Sequence, residues 1–469
     1  MLFSALWMQV ACAMDGQGLV HSPTPIGQRL MSLAGVFGFV GIAWLLRERD
    51  RKVDWRPVLW GTAFQFAAAL IILSPAVSHF FYTVMDSGVN RLLAFTEDGA
   101  NFLFGTIEPH EIMVEGKLQT FAGVVSPPMK SFAFWILPTI IFFSALMSVM
   151  YHLGIMQFIV RVMARVMVKT FGTSGAESLS TAANIFVGQT EAPLLVRPFV
   201  ATMTRSELMC VMVGGFGTVA GGVMGAYVKF LHGIPGIAGH LMIASIIAAP
   251  ATIAIAKVMV PETEVPKTRG EVKIEMPNAA SNVIEAAALG ATDGMSLAIN
   301  VGAMLIAFVA LVKMVDFSIG AVPVVFCGDV TTLGYTCAAG VQAAPMDLAH
   351  IFGWVFFPLA FLMGVPLHEC ATVGQLLGEK VVLTEFVAFF HLGQIVDGTT
   401  PLVLSERTAV IASYALCGFS NFASIGIQLG GIGAMAPERR GELASLGLKA
   451  MVAGMLVNCM TAAVVGVLL

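Results

Sequence analysis

Charge is scarce in this chain. Only 12% of its 469 residues are Asp, Glu, Lys or Arg, against about 25% in an ordinary soluble domain. With 57% hydrophobic residues and a mean hydropathy of +0.85, such a composition dissolves only in a bilayer. The net charge of -4 and the lack of a dense basic patch exclude a nucleic-acid partner. Cysteine is sparse and unpatterned. Cys12, Cys210, Cys327, Cys337, Cys370, Cys417 and Cys459 show no Cys-x-x-Cys or His–Cys spacing, so no metal site is read from them. Cys327 and Cys337 share one loop, and a disulfide between them is open if that loop faces an oxidising side. The other five read as small buried hydrophobes. The N-terminal stretch ending in Ala11-Cys12-Ala13-Met14 lacks the basic start of a signal peptide, and reads as an apolar extracytoplasmic extension. Glycine, in contrast, is abundant at 48 residues, as close-packed and broken membrane helices permit.

Long apolar runs set the topology. Leu30 to Leu46 is uncharged and followed by Arg47, Arg49, Arg51 and Lys52, a span ending in the cytoplasm. Pro57 to Met85 is long enough to span and continue into the far interface, and the polar, mostly acidic stretch 86–130 suits the outside. Ser131 to Val160 is the next span. Arg161, Arg165 and Lys169 recur every four residues on an otherwise apolar helix, which predicts an amphipathic helix on the cytoplasmic interface. Further spans are read at Leu208–Leu231, Leu241–Ala256, Met295–Val312, Thr408–Ile432 and Ala450–Leu469.

Two stretches break the apolar pattern. Residues 171–200 hold Glu177, Asn184, Gln189, Glu191 and Arg197, and Pro193 and Pro198 interrupt any helix. A hairpin buried in protein fits, because non-helical backbone survives at membrane depth only there. Residues 349–405 repeat the theme with Pro366, Glu369, Glu379, Lys380 and Glu385. Each hairpin precedes a broken span, and the two units enter from opposite sides. The expected fold is therefore an all-α polytopic membrane protein with about eight transmembrane helices plus two re-entrant helical hairpins around an inverted-repeat transport core. Its parts are 1–130, N-terminal scaffold helices; 131–170, third span and interfacial helix; 171–315, first hairpin, broken span and following helices; 316–348, an extracytoplasmic loop; 349–432, second hairpin and broken span; and 433–469, the last helix.

The polar residues suggest a ligand. Charge in the bilayer centre costs from about 2.5 kcal/mol upward, so Gly188-Gln189-Thr190-Glu191-Ala192-Pro193 is expected to hold something. The planar amide of Gln189 matches a nucleobase edge. Glu191 and Glu385 accept from vicinal sugar hydroxyls, and Asn421 and Ser424 lie three apart on one helix face. A neutral, many-hydroxylated ligand with a heterocycle is implied, since only Arg197 is near to greet an anion. The bland reading is that these groups satisfy backbone freed at the breaks; five residues in two matching clusters weigh against it. Asn184 and Thr218, with freed carbonyls, can coordinate a hard monovalent cation, although Thr218 can equally bond back to its own helix. Glu191 could instead shuttle a proton. An enzyme would need a nucleophile–base pair or metal ligands. His391, the only histidine close in sequence to a site carboxylate, sits six residues from Glu385 and so on another face.

Five stretches together resemble the concentrative nucleoside transporter family. They are Gly188 through Pro198; Gly294-Met295 through Asn300-Val301 to Leu311; Pro358 through Pro366; Leu377 through Ala388; and Cys417 through Gln428 running into Pro437-Glu438-Arg439-Arg440. The match runs from about residue 130 to the C-terminus. The resemblance implies a sodium- or proton-coupled nucleoside importer, not an enzyme, working without an organic cofactor as a homotrimer by an elevator motion. It assigns the base to Gln189, Thr190, Glu191 and Val223, and the ribose to Glu385, Phe419, Asn421 and Ser424. It assigns sodium to Asn184 and Thr218 with the carbonyls of Val187 and Val219. The implied setting is a bacterial inner membrane, crossed several times, with both chain ends extracytoplasmic. Leu367, where the family commonly has tryptophan, and Gly222, where it often has serine, depart from the pattern. A channel or facilitator for a polar neutral solute is the further alternative.

Overall fold

The structure, a computed structural model, describes residues 24–48, 52–73, 75–105, 107, 110–114, 117–126, 129–270, 280–327, 330–331, 334–336, 342–343, 347–400 and 402–469. The N-terminal extension and the Cys327–Cys337 pairing lie outside the described residues and side chains. Helices α1 (Ile26–Leu45), α2 (Trp55–Leu73) and α3 (Pro75–Phe104) lead to a hairpin of β1 (His110–Val114) and β2 (Lys117–Phe121), with His110 opposite Phe121. The expected span from Pro57 to Met85 is helical over its described residues, and α3 continues through much of the stretch read as an outside loop.

A π-helical turn, Phe132–Ile136, opens into α4 (Leu137–His152). This span ends earlier than expected because Gly154 adopts φ +80° ahead of α5 (Ile155–Phe171). In α5, Met156, Val160, Ala164 and Phe171 are buried, whereas Phe158 is 67% exposed and Val162 41%. One apolar face packs on protein and another points outward, as an interfacial helix presents itself to lipid.

The first hairpin is α6 (Gly175–Ala183) followed by the short α7 (Glu191–Leu194) and α8 (Arg197–Val200), separated as Pro193 and Pro198 suggest. Its broken span is α9 (Arg205–Gly217) and α10 (Gly221–Phe230). Then come α11 (Ile237–Met259), α12 (Val283–Cys327) and α13 (Leu348–Leu362). The second hairpin is α14 (Cys370–Val382) and α15 (Glu385–Val396), its broken span α16 (Glu406–Leu416) and α17 (Phe422–Met435), and α18 (Arg440–Leu468) ends the chain. The span expected at Met295–Val312 is longer at both ends and takes in part of the expected 316–348 loop. Lys313 and Asp316, read as its border, pair at 3.7 Å across one turn of the continuing helix. The apolar run opening 349–405 is a separate helix, α13, outside the hairpin proper.

Among the described residues, six helices are long and apolar enough to cross a membrane by length and composition. The two other expected spans are α2 and the α16/α17 pair. The core lies where α9, α11 and α18 pack together, with α1 and α2 on their flank. Gly364, at φ +84°, lets the turn after α13 press on α1, where any side chain would collide with Ser32 Oγ. Helix α12 packs along α4 and otherwise turns apolar residues outward, with Ile284 82% and Ile306 78% exposed. Apolar surface on that scale needs lipid or a partner to cover it.

Both first-repeat helices start on capping boxes. Ser174 N donates to Glu177 Oε1 at 2.7 Å, and Thr204 N donates to Glu207 Oε2 at 2.8 Å. Glu177, expected in a hairpin buried within protein, is placed there. It is fully buried and paired with Lys257 Nζ at 2.7 Å. At the same end, Glu48 Oε1 accepts from Arg205 and Lys449, each at 3.1 Å. Burial raises that carboxyl, but these two partners outweigh it and hold it below its usual value.

Candidate functional site

Each repeat exposes backbone where its span breaks. The chain passes Thr218 in extended conformation between α9 and α10, and Cys417 to Asn421 between α16 and α17. The last carbonyls of a helix have no partner within it, and here side chains supply one. Gly214 O accepts from Thr218 Oγ1 at 2.8 Å, Phe216 O from Ser420 Oγ at 2.9 Å, and Gly217 O from Asn458 Nδ2 at 2.7 Å. Across the first break, Gly221 N donates to Phe186 O at the hairpin tip, 2.9 Å away.

Between the breaks runs a continuous polar chain. Tyr227 OH, on α10, donates to Glu385 Oε1 at 2.9 Å, and Asn421 Nδ2 donates to Glu385 Oε2 at 2.9 Å. Asn421 is not on the helix face its spacing suggested. It is the N-cap of α17, and its Oδ1 accepts from Ser424 N at 2.8 Å, which fixes the amide with its nitrogen toward Glu385. Ser424 Oγ accepts from Gln189 Nε2 at 3.1 Å, and Gln189 Oε1 accepts from Gln428 Nε2 at 3.1 Å. The chain therefore joins both hairpins and both broken spans. Glu385 opens α15, where the helix end favours an anion. Each of its oxygens accepts one of these bonds, so an ionised carboxylate with about four acceptor sites keeps capacity for a ligand's hydroxyls. Gln428 Oε1 and Thr384 Oγ1 are buried without a hydrogen-bond partner.

Of the expected site residues, Gln189, Glu385, Asn421 and Ser424 are brought together. Val223 is buried one turn before Tyr227 on α10, and Phe419 is half-buried in the second break. Thr190 packs on Gly431, about one turn beyond Gln428 on α17, and Glu191 is exposed with its carboxylate folded over Gly188. Neither joins the polar chain through a bond described above.

Asn184 and Thr218 both lie against Gly214. The Asn184 amide lies so close to Gly214 that a Cβ there would stand 2.8 Å from its Nδ2. Asn184 Nδ2 donates to Ser180 O at 3.1 Å, which leaves Oδ1 buried without a partner. Thr218 does bond back to its own helix, as its bland reading held, yet its oxygen still has lone pairs to offer. Val187 and Val219 flank this spot, at the hairpin tip and in the break. Neutral amide, hydroxyl and carbonyl oxygens are the donors a hard monovalent cation takes, and an orphaned buried amide oxygen is a group in need of one.

Sequence reasoning gave no site role to Tyr227, Gln428 or Asn458, and named Lys380 only among the polar residues of the second hairpin. Gln428 stands four residues after Ser424, and Tyr227 four after Val223, so helical spacing could have found both. His391 is indeed directed away from Glu385; its Nδ1 lies 2.8 Å from Glu379 Oε2.

Comparison with known proteins converges on one group. The model described as "Na+ dependent nucleoside transporter C-terminus" matches residues 240–466, "Nucleoside recognition" matches 133–234, and "Na+ dependent nucleoside transporter N-terminus" matches 34–107. The chain is 41% identical to the uncharacterized transporter YutK of Bacillus subtilis, covering 93% of this chain and 98% of that protein. It is 37% identical to mouse sodium/nucleoside cotransporter 1 over 94% of this chain and 64% of that longer protein. Among solved structures, CNTnw in an inward-facing substrate-bound state superposes with TM-score 0.79 at 39% identity, over 93% of this chain and 97% of that one. A doubly substituted CNTnw in an outward-facing state gives 0.81 over 94% of this chain and 99% of that one.

Proposed function

Because this chain belongs to the concentrative nucleoside transporter family, we propose that it is a sodium-coupled symporter that imports nucleosides by an elevator-type motion. It is a transporter and not an enzyme. The observation that carries the reading is the polar chain from Gln189 to Tyr227, which draws one residue set from each hairpin and each broken span. A ligand seated on it touches both repeats at once.

The roles follow from the donor types. Gln189 offers amide edges to the base, with Val223 forming an apolar wall and Thr190 and Glu191 at the hairpin tip beside it. Glu385, Asn421 and Ser424 take the ribose hydroxyls, with Phe419 against the sugar. Two hydroxyls donating to Glu385 are charge-assisted bonds in a water-poor site, among the stronger kind. Sodium, a transported substrate here, is held by Asn184 Oδ1 and Thr218 Oγ1 with the carbonyls of Val187 and Val219. Because Asn184 and Gln189 share one hairpin tip, a cation on the first fixes the second in place for the base. That is positive coupling between two sites.

The hairpins and broken spans would then move past α4 and α12 as one body. The outward apolar face of α12 supports a homotrimer contact. On this reading the protein works in the bacterial inner membrane, with both chain ends extracytoplasmic, and needs no organic cofactor. Proton coupling is the second reading, and the exposed carboxylate of Glu191 beside Gly188 favours it. Uptake of labelled uridine and adenosine into proteoliposomes, under an imposed sodium gradient and then an imposed proton gradient, separates these. Sodium-driven accumulation supports the proposal, proton-driven accumulation moves coupling to a carboxylate, and uptake without accumulation leaves a facilitator.

A further inference from the structure

Lys380 sits on the second hairpin with no access to solvent. An ammonium in such a place is expensive to maintain, and the transport reading above gives it no task. Its Nζ donates to Ala415 O at 2.9 Å and to Asn458 Oδ1 at 2.7 Å. Both are neutral oxygens, and Ala415 O belongs to the last turn of α16, just before the second break. Asn458 in turn donates to Gly217 O at 2.7 Å in the first break and to Cys417 O at 2.8 Å in the second. Lys380 thus stands at a junction that ties the two broken spans together.

The repeat gives this position meaning. In the first unit, Asn184 follows the first hairpin arm, α6, and lies on Gly214 in the last turn of the first half-span, α9. In the second unit, Lys380 lies near the end of the first hairpin arm, α14, and contacts the last turn of the first half-span, α16. The two residues hold corresponding places. The first place offers an orphaned amide oxygen, Asn184 Oδ1; the second already contains a positive charge bonded to the freed carbonyl. Helix C-terminal ends carry partial negative charge and favour a cation. One repeat lacks a covalent cation where the other has one.

We propose that Lys380 is a tethered cation filling the repeat-related counterpart of the sodium site, and that it holds the second broken span permanently in the arrangement that sodium must impose on the first. This rests on the sodium reading for Asn184 and Thr218. Lys380 is a positioning residue: it acts on the nucleoside through α16, Asn458 and the second break, and does not touch it.

The test is sodium-driven uridine uptake in proteoliposomes for Lys380→Ala, Lys380→Met and Lys380→Arg. Removal of the charge is expected to lower uptake about tenfold or more in the Ala and Met variants, while Arg retains most of it. Lys380→Ala leaves a cavity, so added methylammonium or ethylammonium should restore part of its uptake. Its dependence on sodium should also steepen, with a Hill coefficient about one higher than wild type, as a second free cation enters. Lys380→Met fills the space and should show neither effect. If Lys380→Ala does not fold, the Arg and Met variants still decide: Arg above Met supports a tethered charge. Met equal to or above Arg, or an Ala variant with unchanged sodium dependence and no response to amines, overturns it. If the wild type itself shows no sodium-driven uptake, the functional reading fails instead, which separates the two failures.

Discussion

Replacing Glu385 with glutamine changes one oxygen to NH2 and removes one charge while leaving the volume nearly the same. Glu385 accepts from Tyr227 OH on one oxygen and from Asn421 Nδ2 on the other, both at 2.9 Å. An amide supplies only one acceptor, so its oxygen must face Asn421 Nδ2 and its NH2 then meets the Tyr227 hydroxyl, which has to accept where it now donates. The Asn421 amide cannot reverse to relieve this, because its oxygen caps α17 through Ser424 N at 2.8 Å. Hydrogen bonds to a charged group are worth about 1.5–3 kcal/mol each. Two ribose hydroxyls losing a carboxylate therefore forfeit about 3–6 kcal/mol, a factor of about 10² to 10⁴ in affinity. Glu385→Gln should abolish measurable uridine uptake in proteoliposomes while the oligomeric state on size exclusion stays that of the wild type. Tyr227→Phe, which keeps the ring stacked on Phe389 at 4.4 Å, should raise the uridine KM by only about tenfold. Wild-type-like uptake by Glu385→Gln would refute the ribose assignment.

Three further outcomes follow from the geometry. Thr218→Ala removes the hydroxyl bonded to Gly214 O, the residue Asn184 also lies against, and should raise the sodium needed for half-maximal uptake, with little change in maximal rate; unchanged sodium dependence would remove Thr218 from the ion site. Lys257→Met leaves Glu177 buried without its 2.7 Å partner and should destabilise by about 3–5 kcal/mol, read as a lower melting temperature in detergent, while the double replacement Glu177→Gln with Lys257→Met recovers much of that loss. Gly222→Ser should fold and transport normally, since a Cβ there meets nothing nearer than 3.8 Å, whereas Gly225→Ser would press on Phe143 at 2.5 Å and should lower expression or stability.

The architecture was legible because the bilayer forces apolar runs, basic borders and paired breaks to show in one dimension. Gln189, Glu385, Asn421 and Ser424 stood out as polar groups on apolar segments, and the fold gathers them. Tyr227 did not, because a tyrosine on an apolar helix looks like core until its hydroxyl is seen 2.9 Å from a buried carboxylate. Lys380 and Asn458 were invisible as a pair, since their 2.7 Å bond joins residues 78 positions apart. Thr190 and Glu191 share the motif of Gln189 but pack on Gly431 and over Gly188, and nothing in the motif itself showed which groups they would meet. A helix end was misjudged at Gly154, whose left-handed conformation cuts the expected span short.

Sodium and nucleoside are coupled in this account because Asn184 and Gln189 share one hairpin tip. Isothermal titration of uridine into the purified transporter, in sodium chloride and in choline chloride at equal ionic strength, tests that coupling most directly. The account predicts uridine affinity about tenfold or more higher in sodium, with sodium affinity raised by the same factor when uridine is present. Equal uridine affinity in the two salts would contradict it.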